Sequence, residues 1–293
     1  MHSDDDAEGR GPAGPALGVS FEGRPRALLE AAAPIVDVVE IVPDCLVGVD
    51  ASVNQRALAD LDELAPNADV TYHGIGLSIG STAGWNTDYL RTLDVMMNWR
   101  EPRWHSEHLG FCVVDGSFIG TMPALPATRE ALDLVVERAC DMRRRYGLEF
   151  MLEHVATPLA RPADISLAAF LNALARECGS RLLLDLHNLE CDADNGLLDL
   201  PEFLDELDWS LVGEIHVAGG VWAGGYHLDV HSGPVAASTQ ALLDLALQRA
   251  VNLDLVVYEL LAAAVPVLGA DTVTAQLTSI RDQLDARALE AAL

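Results

Sequence analysis

Six apolar runs of strand length each carry a residue able to bind a hard or borderline metal ion. DVTYHGIG carries His73, RWHSEHLGF carries His108, LEFMLEHV carries Glu153, RLLLDLHNL carries Asp185, LVGEIHVAGG carries His216 and LDLVVYELL carries Glu259. Asn188 follows Asp185, and Asp229 and His231 form an Asp-x-His pair after the His216 run. A carboxylate inside an apolar strand costs several kcal/mol unless it is paired or coordinates a metal. Few basic residues lie near Glu153, Asp185 or Glu259 in sequence. In an extended segment, Asp229 and His231 would point the same way and suit one ion. Imidazoles, carboxylates and one amide without thiolate suit iron, manganese or zinc and do not choose among them. A carboxylate such as Glu153 can bridge ions, so the expected centre is di- or trinuclear.

A lone strand histidine is more often a satisfied core residue than a ligand. His73 in HGIGLSIGS and His216 in EIHVAGG differ because nearby glycines allow close backbone approach at a strand end. Around these ligands, His105 and His227 are candidates for orienting roles. His154 and His187 adjoin Glu153 and Asp185 and are candidates for supplementary or substrate contacts. Glu40 is expected to line the site without binding metal. Glu214 is expected on the strand face opposite His216, turned towards helices or an interface, and His2 in a tail. Five scattered cysteines without C-x-x-C spacing argue against a disulfide framework and against a Cys-rich zinc site. Most read as small buried apolar residues, and Cys191 can face the site.

Ligands so far apart in sequence need a scaffold whose strand ends converge, which a parallel barrel supplies. ALGVSFE (16–22) and VDVVEIVPD (36–44) precede the six runs and bring the strands to eight. Helical patterns separate them, among them QRALADLDELA, TDYLRTLDVMMNW, TREALDLVVERACDMRRRYG, ISLAAFLNALAREC, PEFLDELDW and TQALLDLALQRA, with a last helix from near Asp271. Thr87, Thr128, Ser166 and Thr239 are expected N-caps, and Gly147 and Gly179 C-caps. Eight βα units predict an α/β fold, a single (β/α)8 TIM barrel over residues 16–293. The open doubly wound sheet competes less well, because no G-x-G-x-x-G follows the first strand.

Residues 1–15 are acidic and Gly/Pro-rich, unlike a signal peptide, and read as a disordered tail on a cytoplasmic protein. No apolar stretch approaches the roughly 20 residues of a membrane span. The net charge of −27, from 18 basic and 45 acidic residues, disfavours nucleic-acid binding.

At HGIGLSIGS, SEHLGF, LEHV, LLLDLHNL, EIHVAGG and LDVHSGPV the chain resembles the DUF692 family. These are the multinuclear non-heme iron-dependent oxidases, which include the methanobactin biosynthesis oxidase. The resemblance implies a TIM barrel holding two or three irons in mixed ferrous and ferric states, with dioxygen as cosubstrate. It also implies a ribosomal precursor peptide as substrate, oxidised at a residue that is often cysteine, and a separate leader-binding partner protein. By motif order, His73, His108 and Glu153 would bind one iron. Glu153, Asp185, His216 and Glu259 would hold the next, and Asn188, Asp229 and His231 the third. The chain departs from the family at His154 and His187, where asparagines are usual, and at Asp44, which stands in for a carboxylate of a Glu-x-x-x-Glu-Asn pattern. The motif order is also similar to endonuclease IV-type zinc barrels. The rival expectation is therefore a zinc- or manganese-dependent hydrolase or isomerase of the endonuclease IV or xylose isomerase kind. A non-catalytic metal-binding protein that assists another enzyme's maturation is a further reading.

Overall fold

Eight short strands carry the scaffold: β1 Ala16–Phe21, β2 Val38–Ile41, β3 Asp69–Gly74, β4 His105–His108, β5 Phe150–Glu153, β6 Leu182–Asp185, β7 Val212–Val217 and β8 Leu255–Tyr258. All eight pair in parallel with their sequence neighbours, and β8 returns to pair with β1, closing a barrel. A helix follows each strand: α1 Arg26–Ala32, α2 Gln55–Leu64, α3 Thr87–Trp99, α4 Arg129–Tyr146, α5 Leu167–Cys178, α6 Leu186–Asp194, α7 Ala237–Arg249 and α8 Ala270–Ala291. This is the TIM barrel that the eight βα units predict. The computed structural model describes residues 14–291 except Val49, Ala51, Asp115 and Pro158. Most of the expected 1–15 tail, His2 included, therefore lies outside the described residues. Among the described residues, no helix is long and apolar enough to cross a membrane.

Strands buried on both faces must be apolar towards the helices and filled with side chains towards the barrel axis. The outward face meets the helical layer through residues such as Leu17, Val39, Tyr72, Leu184, Ile215 and Val256. The inward face has two layers. Val38, Trp104, Met151, Leu183, Leu255 and Val257 form a separate apolar cluster on the axis. Two residues further along each strand, the same face presents Glu40, Ser106, Glu153, Asp185 and Glu259, because side-chain direction repeats every second residue.

The same period corrects the expectation for Glu214. Two residues before His216, it points into the barrel with it, not towards the helices. It is fully buried, level with Leu255 in the β7–β8 register, and accepts a 2.8 Å hydrogen bond from Trp104 Nε1.

Local chemistry sets most helix ends as expected. Thr128 and Ser166 accept from Ala131 and Ala169 backbone N–H groups, and Gly147 and Gly179 close α4 and α5 with left-handed φ of 71° and 65°. Two expected caps are displaced. Asn86, not Thr87, caps α3 by accepting from the Tyr89 N–H, and Thr239 lies inside α7, its buried hydroxyl donating to Glu190. Helix α6 breaks what reads in sequence as continuous strand. It starts directly at Leu186, with Asp185 as its N-cap accepting from the Asn188 N–H at 2.8 Å. Two hairpins also escaped the sequence pattern: Val113–Val114 with Ser117–Phe118, and Val221–Ala223 with Tyr226–Leu228.

A buried carboxylate left without its donor bears the full cost of desolvation. We therefore expect Trp104→Phe to lower stability by about 1–3 kcal/mol in urea denaturation. A change below about 0.5 kcal/mol, the range of neutral surface substitutions, would show that Trp104 does not satisfy Glu214.

Candidate metal centre

The C-terminal ends of the strands gather seven of the expected residues. Glu40, His73, Glu153, Asp185 and His216 are almost wholly buried, and His108 and Glu259 are slightly more open. His73 Nε2 lies 3.1 Å and His108 Nε2 3.5 Å from the same oxygen, Glu153 Oε2. Yet His73 Nε2 and Glu153 Oε2 both lack a hydrogen-bond partner, so proximity here is not a hydrogen bond.

The far sides of the two rings explain this. His108 Nδ1 is 2.9 Å from the Gly74 carbonyl, which can only accept, so the proton sits on Nδ1. His73 Nδ1 is 2.9 Å from Ser106 Oγ, whose own proton goes to the Tyr72 carbonyl at 3.3 Å, so this Nδ1 donates as well. Both Nε2 atoms thus turn lone pairs towards a carboxylate oxygen. Metal-ligating histidines are held in this way, with the distal N–H fixed by a carbonyl or hydroxyl.

Glu153 links this group to the next. Its Oε1 accepts from Asn188 Nδ2 at 2.9 Å, and the same amide donates to the His154 carbonyl at 3.2 Å. Asn188 Oδ1 and Asp185 Oδ2 are left without partners. Glu259 spans two imidazoles, with Oε2 at 2.8 Å from His216 Nδ1 and Oε1 at 3.2 Å from His231 Nδ1. His231 Nε2 lies 2.5 Å from Asp229 Oδ1 and 3.7 Å from Asp185 Oδ2. Glu153, Asp185, His216 and Glu259 each offer a ligand atom within 4.8 Å of the others, as do His73, His108 and Glu153.

Asp229 and His231 do converge, but not by strand alternation. His231 has a φ of 37°, a left-handed conformation that strains a non-glycine residue, and such strain collects at functional sites.

Charge is the uncompensated quantity of this pocket. Among the described residues no arginine pairs with Glu40, Glu153, Asp185, Asp229 or Glu259; their ionic partners are histidines. Burial pushes Glu40 up to about 8, Glu153 up to about 7, and Asp185 well above the carboxylate range. Burial likewise pushes His73 down to about 3 and lowers His108. Glu259 behaves oppositely: burial raises it, but His231 and His216 outweigh burial and hold it well below its usual value. Those imidazoles are correspondingly raised against burial, His216 by Glu40 and Glu259, and His231 by Glu259 and Asp229. The neutral imidazoles of His73 and His108 beside dry carboxylates, with orphaned atoms at His73 Nε2, Glu153 Oε2 and Asp185 Oδ2, fit a set of bound cations.

The remaining expected residues divide. Glu40 is nearer than a lining role requires, with Oε1 at 3.2 Å from His216 Nε2. His154 is buried beside Asn188 with neither ring nitrogen hydrogen-bonded. His187 and His227 pack together with ring centroids 5.0 Å apart, His187 lies 6.2 Å from the His231 ring, and Cys191 Sγ is 3.5 Å from His187 Nε2.

His105 does not orient a ligand. It has the outward parity of β4 and packs on Phe150, with Nε2 at 3.1 Å from Glu107 Oε1. Asp44 also lies outside the ligand set, accepting the Ile75 N–H at 2.9 Å and so tying down the loop after His73. Ser106 and the Gly74 carbonyl were missed in the sequence; only the inward parity of Ser106, two residues before His108, signalled it.

A (β/α)8 barrel with imidazoles and carboxylates crowded at the C-terminal strand ends defines a TIM-barrel protein with a candidate metal centre. Solved structures share that fold. A putative xylose isomerase from Rhodospirillum rubrum superposes with a TM-score of 0.58 at 18% identity, over 93% of this chain and 99% of its own. Endonuclease IV from Thermus thermophilus gives 0.55 at 15% identity, over 93% and 100%. D-psicose 3-epimerase gives 0.56 at 13% identity, over 92% and 97%. At such identities the likeness is one of fold alone. Sequence similarity goes further: the chain belongs to the family of RiPP precursor modification enzymes MbnB/TglH/ChrH, which matches residues 16–265. Among its relatives, a UPF0276 protein of Anaeromyxobacter sp. (strain Fw109-5) is 33% identical over 71% of this chain and 73% of its own length. Another, from Acaryochloris marina, is 32% identical over 66% and 70%.

Two substitutions probe the centre. Glu153→Gln removes a negative oxygen shared by two imidazoles, and we expect metal content by elemental analysis to fall by at least one ion per chain with the circular dichroism spectrum retained. Ser106→Ala removes the acceptor that fixes the His73 tautomer, and we expect affinity in a chelator competition to fall by about 10–100-fold.

Proposed function

We propose that this protein is a multinuclear non-heme iron oxidase that uses dioxygen to modify a residue, often cysteine, of a ribosomally synthesised precursor peptide. The observation that carries the reading is the placement of Glu153 Oε2 between the His73 and His108 Nε2 lone pairs, in a chain of the precursor-modifying family. His73, His108 and Glu153 are assigned to one ion, Glu153, Asp185, His216 and Glu259 to a second, and Asn188, Asp229 and His231 to a third. Bound iron would supply the one-electron chemistry with dioxygen that no side chain here can perform.

The protein's own residues do the rest. Ser106 and the Gly74 carbonyl hold protons on the Nδ1 atoms of His73 and His108, which keeps both Nε2 atoms available at neutral pH. Asn188 orients Glu153 through Oε1 and leaves Oε2 to bind. Asp185 is fixed by capping α6, so its second oxygen has one direction. The pocket is graded in exposure. His73, Glu153, Asp185 and His216 are sealed, whereas Asp229, His108, Glu259 and His231 are partly open. The peptide side chain is assigned to that open side, and water is excluded from the sealed one. The precursor is assigned a separate leader-binding partner, the reaction a cytoplasmic setting, and residues 16–293 the whole catalytic barrel.

The test is anaerobic reconstitution with ferrous iron, followed by air and a short precursor peptide encoded beside the gene. We expect oxygen consumption matched to a mass change on one peptide residue. An unmodified peptide, with a zinc- or manganese-loaded form that instead isomerises a sugar, would overturn the reading.

A further inference from the structure

His187, Cys191 and His227 form a donor set that the centre does not use, each offering a ligand atom within 4.8 Å of the others. His187 and Cys191 stand one turn apart on one face of α6, with Nε2 and Sγ 3.5 Å apart. His227 comes from the hairpin strand Tyr226–Leu228 that packs on this helix. Its Nδ1 lies 2.8 Å from Asp194 Oδ2, an acceptor, so the proton sits on Nδ1 and Nε2 keeps its lone pair. Trp222 stacks on the same ring at 5.0 Å and 8°, fixing its plane. Asn195 grips the His227 backbone, donating to its carbonyl and accepting from its N–H, both at 2.9 Å.

The backbone closes tightly around the site: a Cβ on Gly220 would lie 2.2 Å from the Leu228 carbonyl oxygen and 2.4 Å from His187 Nε2, so glycine there lets the hairpin pack directly against the imidazole. His187 and Cys191 are buried, and His187 Nδ1 has no hydrogen-bond partner. His227 is partly exposed and provides the route in.

We propose that His187, Cys191 and His227 bind one thiophilic cation, of which zinc(II) is the type, at a site separate from the carboxylate-rich centre. Two imidazoles and one thiolate match the ligand preference of such an ion and leave a fourth tetrahedral position open. On binding, the Cys191 S–H bond breaks as the sulfur–metal bond forms, and the proton leaves to solvent without electron transfer. The ion clamps the hairpin Val221–Leu228 onto α6, directly beside His231.

The experiment is a cobalt(II) titration of the full, chelator-stripped chain, read by near-ultraviolet absorption. A thiolate-to-cobalt charge-transfer band is expected in the native protein, lost in Cys191→Ser and in His227→Ala, and retained in Glu153→Gln. The His227→Ala variant changes a partly exposed hairpin and leaves the barrel core intact, so loss of its band reports the site and not unfolding. Absence of the band in the native protein, its persistence in Cys191→Ser, or its retention in His227→Ala would overturn the proposal.

Discussion

The barrel mouth is governed by one constraint: among the described residues, the carboxylates buried in it have no arginine to pair with. Glu153 and Asp185 are fully buried, and each has an oxygen without a hydrogen-bond partner. Burying such groups uncompensated costs several kcal/mol each, a sizeable part of the roughly 5–15 kcal/mol by which a domain is stable. The imidazoles compensate in part. His216 and His231 share Glu259, while His73 and His108 are held neutral with lone pairs inward. Cations at the shared focus of these atoms would convert that cost into binding energy.

The rest of the fold serves that focus. On β5 and β6 the inward face changes from apolar to polar within two residues, so Met151 and Leu183 underlie Glu153 and Asp185 and deny them water from below. Asp185 joins strand to helix and site in one residue, since capping α6 fixes the carboxylate. The strained His231 backbone lets a loop residue reach Glu259 and Asp229 together. On the outer face of β4, His105 and Glu107 pair with each other, and Asp44, after β2, holds the loop following His73 through the Ile75 N–H without entering the ligand set.

Much of this was legible in the sequence because barrels obey a simple rule. Six strand-length apolar runs carrying His, Asp or Glu, with two more before them and helices between, leave little choice of scaffold, and all eight proved to be strands. Parity, applied strictly, would also have turned Glu214 inward and His105 outward; reading each residue by its neighbours obscured both. What was not legible depends on partners distant in the chain. Ser106 matters through His73, and Trp104 through Glu214, pairs whose members no local pattern joins. The start of α6 was hidden because LLLDLHNL is apolar enough for either element, and only the capping geometry of Asp185 decides.

Anomalous diffraction at the iron edge, from crystals of protein produced with iron, tests the central claim most directly. Two or three peaks should lie among these side chains, one within coordination reach of both His73 Nε2 and Glu153 Oε2. A map with no peak between those residues would contradict it, and would leave the buried carboxylates as protonated members of a hydrogen-bonded core.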